Sequence, residues 1–249
     1  VDSVVDAFSG GANVAYHFKR KGMKVIANDL LRFPYHLARA VIENSHEKLT
    51  EEDVEGILAP NPPACRAADT MPGYGRKLGR GAGRDAGTFI VDHFYGYYTK
   101  PVLHWLDQVW ANIQKLPGYK KDLALAALGN TVKAKSAFGQ FSRSKMNRKA
   151  DLEAVASLEQ SQLSNPPLSK FIESFKRSVR QLNNLVFDNG KECKAFNLDA
   201  AEAVRRYGAD VLYLDPPYVT DEITDFRRTS AALTLMLHKP AGESGVKPL

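Results

Sequence analysis

The sequence predicts an α/β protein organised on a parallel sheet whose strand ends hold a nucleoside. Three observations predict it. One apolar run ends in a glycine turn, a second ends in an acidic residue, and a run late in the chain ends in Asp215-Pro216-Pro217-Tyr218. In open α/β sheets ligands lie beyond the carboxyl ends of the strands, where all three features fall.

Residues 1–8 form the first apolar run, with Asp2 and Asp6 embedded, and lead into Phe8-Ser9-Gly10-Gly11-Ala12-Asn13-Val14. This reads as strand, turn and helix, with Ala15, Phe18 and Lys19 at helical spacing and Gly22 closing the helix. Gly10 and Gly11 lack Cβ atoms, so the chain can turn sharply and a ligand can lie against the backbone. A lone Gly-Gly pair is also a plain strand-to-helix connection, and its meaning depends on the next strand. Lys24-Val25-Ile26-Ala27-Asn28-Asp29 reads as that second strand, ending in an acid about twenty positions beyond the glycines. A carboxylate there accepts hydrogen bonds from ribose hydroxyls. A competing reading has Asp29 capping the helix expected through residues 35–44. At the three glycine positions of a dinucleotide fingerprint stand Ser9, Gly11 and Val14, which serves a diphosphate poorly. A nucleoside cofactor that carries no phosphate is favoured by that departure.

Cys193-Lys194-Ala195-Phe196-Asn197-Leu198-Asp199 offers a third strand ending in an acid, followed by a helix over 200–207. Val211-Leu212-Tyr213-Leu214 then reads as a buried parallel strand. Two successive prolines fix φ and donate no N–H, which leaves their carbonyls free to accept from a ligand. Asp215 adds a carboxylate and Tyr218 a flat ring, a set that suits a planar group bearing an amine. A proline turn explains Pro216-Pro217 alone. It does not explain strand, acid, two prolines and an aromatic in series.

With 249 residues and 44% hydrophobic content the chain can bury one substantial core, or a core and a subdomain. No apolar stretch approaches the roughly 18 residues of a membrane span, and no charged-then-apolar leader is present, so a cytoplasmic setting is expected. Cys65 and Cys193 are far apart and suggest neither a disulfide framework nor a metal site. The formal charge of +6 and a pI near 9.2 favour a polyanionic partner.

Residues 59–187 form a long insertion. It opens with a Pro-, Gly- and Arg-rich stretch, and helical periodicity comes next over 100–116 through Leu103, Leu106, Val109, Trp110 and Ile113. Another helix is expected over 123–138. Lys133, Lys135, Arg143, Lys145, Arg148 and Lys149 interleave with Ser136, Gln140, Ser142 and Asn147, and Lys170, Lys176, Arg177 and Arg180 follow on the next helix. Basic groups among hydroxyls and amides suit phosphate contact with base-edge reading, although each alone could belong to a solvated face.

Asp-Pro-Pro-Tyr at 215–218 resembles the motif of amino-group methyltransferases. With residues 6–11, 25–29, Arg39-Ala40-Val41-Ile42-Glu43-Asn44 and 197–199, the chain resembles the adenine-specific DNA methyltransferases of the D12 class. That resemblance implies a Rossmann-like sheet, S-adenosylmethionine as cofactor, double-stranded DNA as partner and no metal. It assigns Phe8 and Gly10 to the cofactor turn, Asp29 to the ribose and Asp199 to the adenine of the cofactor, with Ser9, Gly11 and Asn28 as further cofactor-binding residues, and Asp215, Pro216, Pro217 and Tyr218 to the catalytic loop. The core then comprises 1–58 and 188–229, divided by the target-recognition insertion 59–187, with 230–249 a poorly structured tail. Family members carry a motif before the first strand and further strands after the catalytic loop. Here the chain starts almost on the strand and has 31 residues beyond Tyr218. The expectation is an incomplete domain, as in a fragment, a truncated product or one half of a split enzyme completed by a second chain. An RNA guanine-N2 methyltransferase and a non-catalytic nucleic-acid-binding remnant are the alternatives.

Overall fold

A computed structural model describes residues 1–60, Tyr98, 100–135 and 167–216. Four parallel strands form its sheet: β1 (Ser3–Asp6), β2 (Lys24–Asn28), β3 (Lys194–Phe196) and β4 (Val211–Tyr213), in the order β3-β2-β1-β4. Val4 pairs with Val25 on one side and with Val211 on the other, and Ala27 pairs with Ala195. All four carboxyl ends therefore lie along one edge. The chain builds outward from β1 through β2 to β3, then returns to the opposite side of β1 for β4. The crevice between β1 and β4 is thus the point where strand order reverses.

Central strands buried on both faces need continuous apolar side chains. Val4 and Val5 in β1 and Val25, Ile26 and Ala27 in β2 supply them, each at most 6% exposed. The outer strand β4 differs from the sequence expectation of a buried strand: Leu212 is 46% exposed and Leu214 54%. Among the described residues β4 pairs only with β1, so its apolar composition does not bring burial.

Helix α1 (Asn13–Arg20) follows β1, and α2 (Arg32–Ala38) follows β2 and runs on into a π-helical turn, Arg39–Glu43. Lys19 is 1% exposed, and its Nζ donates to Val41 O (3.1 Å) and Asn44 O (2.9 Å), carbonyls that the end of the π turn leaves without helical partners. Burial lowers its pKa. The periodicity that sets Lys19 beside Ala15 and Phe18 is thus a burial signal, hidden by its charge. Helix α3 (Glu51–Leu58) starts at a capping box in which Thr50 and Asp53 satisfy each other's backbone N–H groups.

The insertion contributes α4 (Lys100–Ile113), α5 (Gly118–Lys135) and α6 (Leu168–Leu185). Leu123, Ala124, Leu125, Ala126, Ala127 and Leu128 of α5 are all 0% exposed. A helix apolar all round is a buried one. Accordingly α5 is enclosed by α2, the π turn, α4 and α6, and its side chains share one hydrophobic cluster with the sheet. Asp122 faces α2, 2.5 Å from His36 Nδ1 and 2.8 Å from Arg39 Nε. About two turns further on, Gly129 lies so close to Phe33 that a Cβ there would collide with the ring. Because α2 runs away from the carboxyl edge of the sheet, this pairing sends α5 back toward it. Tyr98 bonds Val132 O at 2.8 Å and packs edge-on against Phe171 at 5.6 Å, so α6 begins where α5 ends. No described helix is long and apolar enough to cross a membrane.

Candidate active site

The turn after β1 is shaped by backbone bonds and one left-handed glycine. Gly10 has φ 45°, Ala12 N donates to Ser9 O at 2.6 Å, and Ser9 N donates to Asn28 O at 2.8 Å. The turn is therefore pinned to the end of β2. Asp29 completes the attachment: its Oδ2 accepts from Gly10 N at 2.9 Å and its Oδ1 from Leu31 N at 2.8 Å. Asp29 accordingly both touches the glycine turn and closes an Asx turn that leads into α2. The helix-capping alternative is not met: the N-cap of α2 is Leu31 and receives no side-chain bond, and Asp29 bonds only the amides that precede the helix.

On the third strand, Asp29 N donates to Phe196 O at 3.2 Å, and Asn197 Nδ2 donates to Asp29 O (2.8 Å) and Leu30 O (2.9 Å). Asp199 is exposed and caps α7 (Ala200–Arg206), its Oδ1 accepting from Ala201 N at 2.9 Å and Glu202 N at 3.4 Å. At β4, Ala7 N donates to Tyr213 O at 3.2 Å, which ties the chain leading to Asp215 to the start of the glycine turn. Asp215 and Pro216 come next, both exposed. Pro217 and Tyr218 lie outside the described residues.

Asp6 does not stand out in the sequence. It is 1% exposed at the end of β1, and burial raises its pKa from 3.8 to about 6, against the weak donation from Phe8 N. The negative charges of Asp29 and Asp215 push in the same direction. Burial also raises the pKa of Asp29, outweighing the Leu31 and Gly10 bonds. No Lys or Arg pairs with Asp6 or Asp29 among the described residues. An acid at the end of an otherwise apolar strand is the signal that could have found it. Ser9 adds a second oddity: its hydroxyl is buried and has no hydrogen-bond partner among the described residues. Orphaned polar groups in the interior are rare, and a ligand in the turn would supply the missing partner.

Of the basic residues, Lys133 is exposed near the end of α5, the end that rises to the carboxyl edge. Lys135 closes that helix. Arg143, Lys145, Arg148 and Lys149 lie outside the described residues. Lys170, Lys176, Arg177 and Arg180 are exposed along α6.

Strand order, glycine turn and acidic strand ends define an α/β protein with the Rossmann-like architecture of a methyltransferase. The profile of the D12 class N6 adenine-specific DNA methyltransferase matches residues 1–58 and 160–248, more than half of the chain. The chain belongs to that family. It is 32% identical over 227 residues to the Type II methyltransferase M2.HphI of Haemophilus parahaemolyticus, covering 88% of this chain and 59% of that protein. Over 45 residues it is 49% identical to the modification methylase StsI of Streptococcus sanguinis, 16% of this chain and 7% of that one. The chain thus spans about three fifths of the first relative and a small part of the second. No solved structure matches it significantly.

Proposed function

We propose that this protein takes part in methylating the N6 amino group of adenine in double-stranded DNA, with S-adenosylmethionine as methyl donor. The observation that carries this is the convergence of Gly10, Asp29 and Asp215 on the crevice beside β1, where strand order reverses. The residues present fit the cofactor. The buried Ser9 hydroxyl, unpartnered among the described residues, and the open backbone at Gly10 leave a place against the turn, and Asp29 can accept from ribose hydroxyls. Acids at positions 6, 29 and 215 give the edge a negative potential, which favours a ligand carrying a sulfonium and an ammonium group.

When bound, S-adenosylmethionine supplies an electrophilic methyl group. The chain supplies position. An adenine within a duplex cannot present N6 to that methyl, so the base must leave the stack, and Tyr218 offers it a ring to stack on. The Asp215 carboxylate and the Pro216 carbonyl accept the two N6 protons, which aligns the nitrogen and favours the pyramidal form whose lone pair can attack. Asp215 need not be a strong base, because methylation makes the N6 proton acidic. Lys133, exposed near the end of α5 that runs back to the same edge, supports a contact with the phosphate backbone there.

The test is transfer of radiolabelled methyl from S-adenosylmethionine to duplex DNA, single-stranded DNA and structured RNA. Label in N6-methyladenine of duplex DNA is expected. Label in RNA guanine would replace this reading with the guanine-N2 alternative, and DNA binding without cofactor binding would leave a nucleic-acid-binding remnant.

A further inference from the structure

Asn28 interrupts the pattern of its strand. Val25, Ile26 and Ala27 precede it as apolar core residues, and amides are depleted in strands because they pack poorly and carry polar atoms. Nevertheless Asn28 is 1% exposed. Burying an amide is unfavourable unless its hydrogen bonds are replaced. Here they are replaced by backbone from both sides: Nδ2 donates to Ala7 O (3.2 Å) and Leu198 O (3.1 Å), and Oδ1 accepts from Leu198 N (3.1 Å). The orientation is unambiguous, since turning the amide over would set its oxygen against two carbonyls.

The positions bonded are informative. Ala7 immediately precedes Phe8-Ser9-Gly10, Leu198 immediately precedes Asp199, and Asn28 itself precedes Asp29. Both amide donors are occupied and the side chain is closed to solvent, so it has little left to offer a ligand directly. We infer that Asn28 is a positioning residue, an amide clamp that holds the loops after β1, β2 and β3 in the mutual register the nucleoside pocket requires. This rests on the reading of that edge as the cofactor pocket. It also revises the role implied for Asn28 by resemblance, from touching the cofactor to holding the loops that do.

The experiment uses the full chain with Asn28→Ala and, should that variant fold poorly, Asn28→Ser. Hydrogen exchange is measured first without cofactor. Exchange at the Leu198 amide and across residues 7–12 is expected to rise about tenfold or more, with Val5, Ile26 and the centre of α5 changed less than about threefold. In methyl-transfer assays the KM for S-adenosylmethionine is expected to rise about tenfold with kcat within about threefold, because displaced loops weaken binding and leave the Asp215 loop in place. Uniformly faster exchange would make Asn28 an ordinary stabilising residue and overturn the inference. A fall in kcat at constant KM, or no change in either measurement, would also overturn it. Exchange is read without ligand, so it decides the clamp even if the wild-type chain binds no S-adenosylmethionine and the pocket reading fails.

Discussion

At the amino edge of the sheet an acid is held by hydrogen bonds that outweigh burial, whereas at the carboxyl edge burial outweighs the bonds the acids receive. Asp210, beside the start of β4, accepts from Asp2 N (2.6 Å), Ser3 N (3.0 Å) and Ser3 Oγ (3.1 Å), and those bonds hold its carboxyl below the usual range. Nearby, Asn189 Nδ2 bonds Lys19 O and Met23 O, and the Lys19 ammonium is satisfied by two carbonyls. Across the sheet, Asp6 is buried with its pKa raised to about 6, Asp29 is raised by burial, and the Ser9 hydroxyl has no partner among the described residues. The same four strands support both edges. One edge is satisfied by the chain's own groups, and the other carries the buried acids and the Ser9 hydroxyl on which the proposed cofactor pocket rests.

Substitutions at the two edges should therefore separate function from stability. The largest effect is expected from Asp215→Ala, which removes the acceptor for the target amine. Its kcat should fall about 10²- to 10³-fold, the scale of losing one preorganised polar group. Its melting temperature should stay close to wild type, because Asp215 is exposed. Cofactor affinity should be largely kept, and an Asp215→Ala enzyme of full activity would remove this residue from the site.

Next comes Asp29→Asn, which retains an acceptor but loses the charge. Titration calorimetry should show the Kd for S-adenosylmethionine raised roughly tenfold to thirtyfold, the weight of one or two charge-assisted hydrogen bonds. An unchanged Kd would mean that Asp29 serves only the Gly10 and Leu31 amides.

The pH profiles at the two edges should have opposite signs. Because the folded pKa of Asp6 lies near 6 and the unfolded value near 3.8, ionising it opposes folding. Its contribution is fully present below about pH 4 and is lost as pH rises through about 6. Asp6→Asn should thus gain stability over wild type across that window, on the order of 2 kcal/mol at neutral pH by chemical denaturation. The smallest effect belongs to Asp210→Asn. A depressed carboxyl stabilises above its unfolded pKa and ceases to as pH falls, so this variant should melt slightly below wild type at neutral pH and match it near pH 2. Parallel profiles for the two variants would erase the contrast between the edges.

Much of this arrangement is legible in sequence because it obeys short-range rules. Apolar runs closed by Gly10, Asp29, Asp199 and Asp215 place the strand ends in order, and their parallel pairing comes from the helices between them. The features that sequence does not disclose depend on tertiary partners. Lys19 and Asn28 are polar side chains at buried positions, and nothing local announces the carbonyls that receive them. Asp6 is marked in the sequence only as an acid closing an apolar run, and its burial depends on β2 and β4 flanking it. Leu212 and Leu214 have the composition of a core strand, but their exposure is set by their place at the outside of the order β3-β2-β1-β4. Helix α5 is visible as a helix, while its enclosure on every side depends on α2, α4 and α6 meeting around it.

The claim that the carboxyl edge is a cofactor pocket is tested most directly by mapping amide protection as S-adenosylmethionine is titrated into the wild-type chain. Saturable binding with protection confined to residues 7–12, 28–31, 197–201 and 213–216 is the result predicted. Protection centred on the amino edge around Asp210 and Lys19, or the absence of saturable binding, would contradict it.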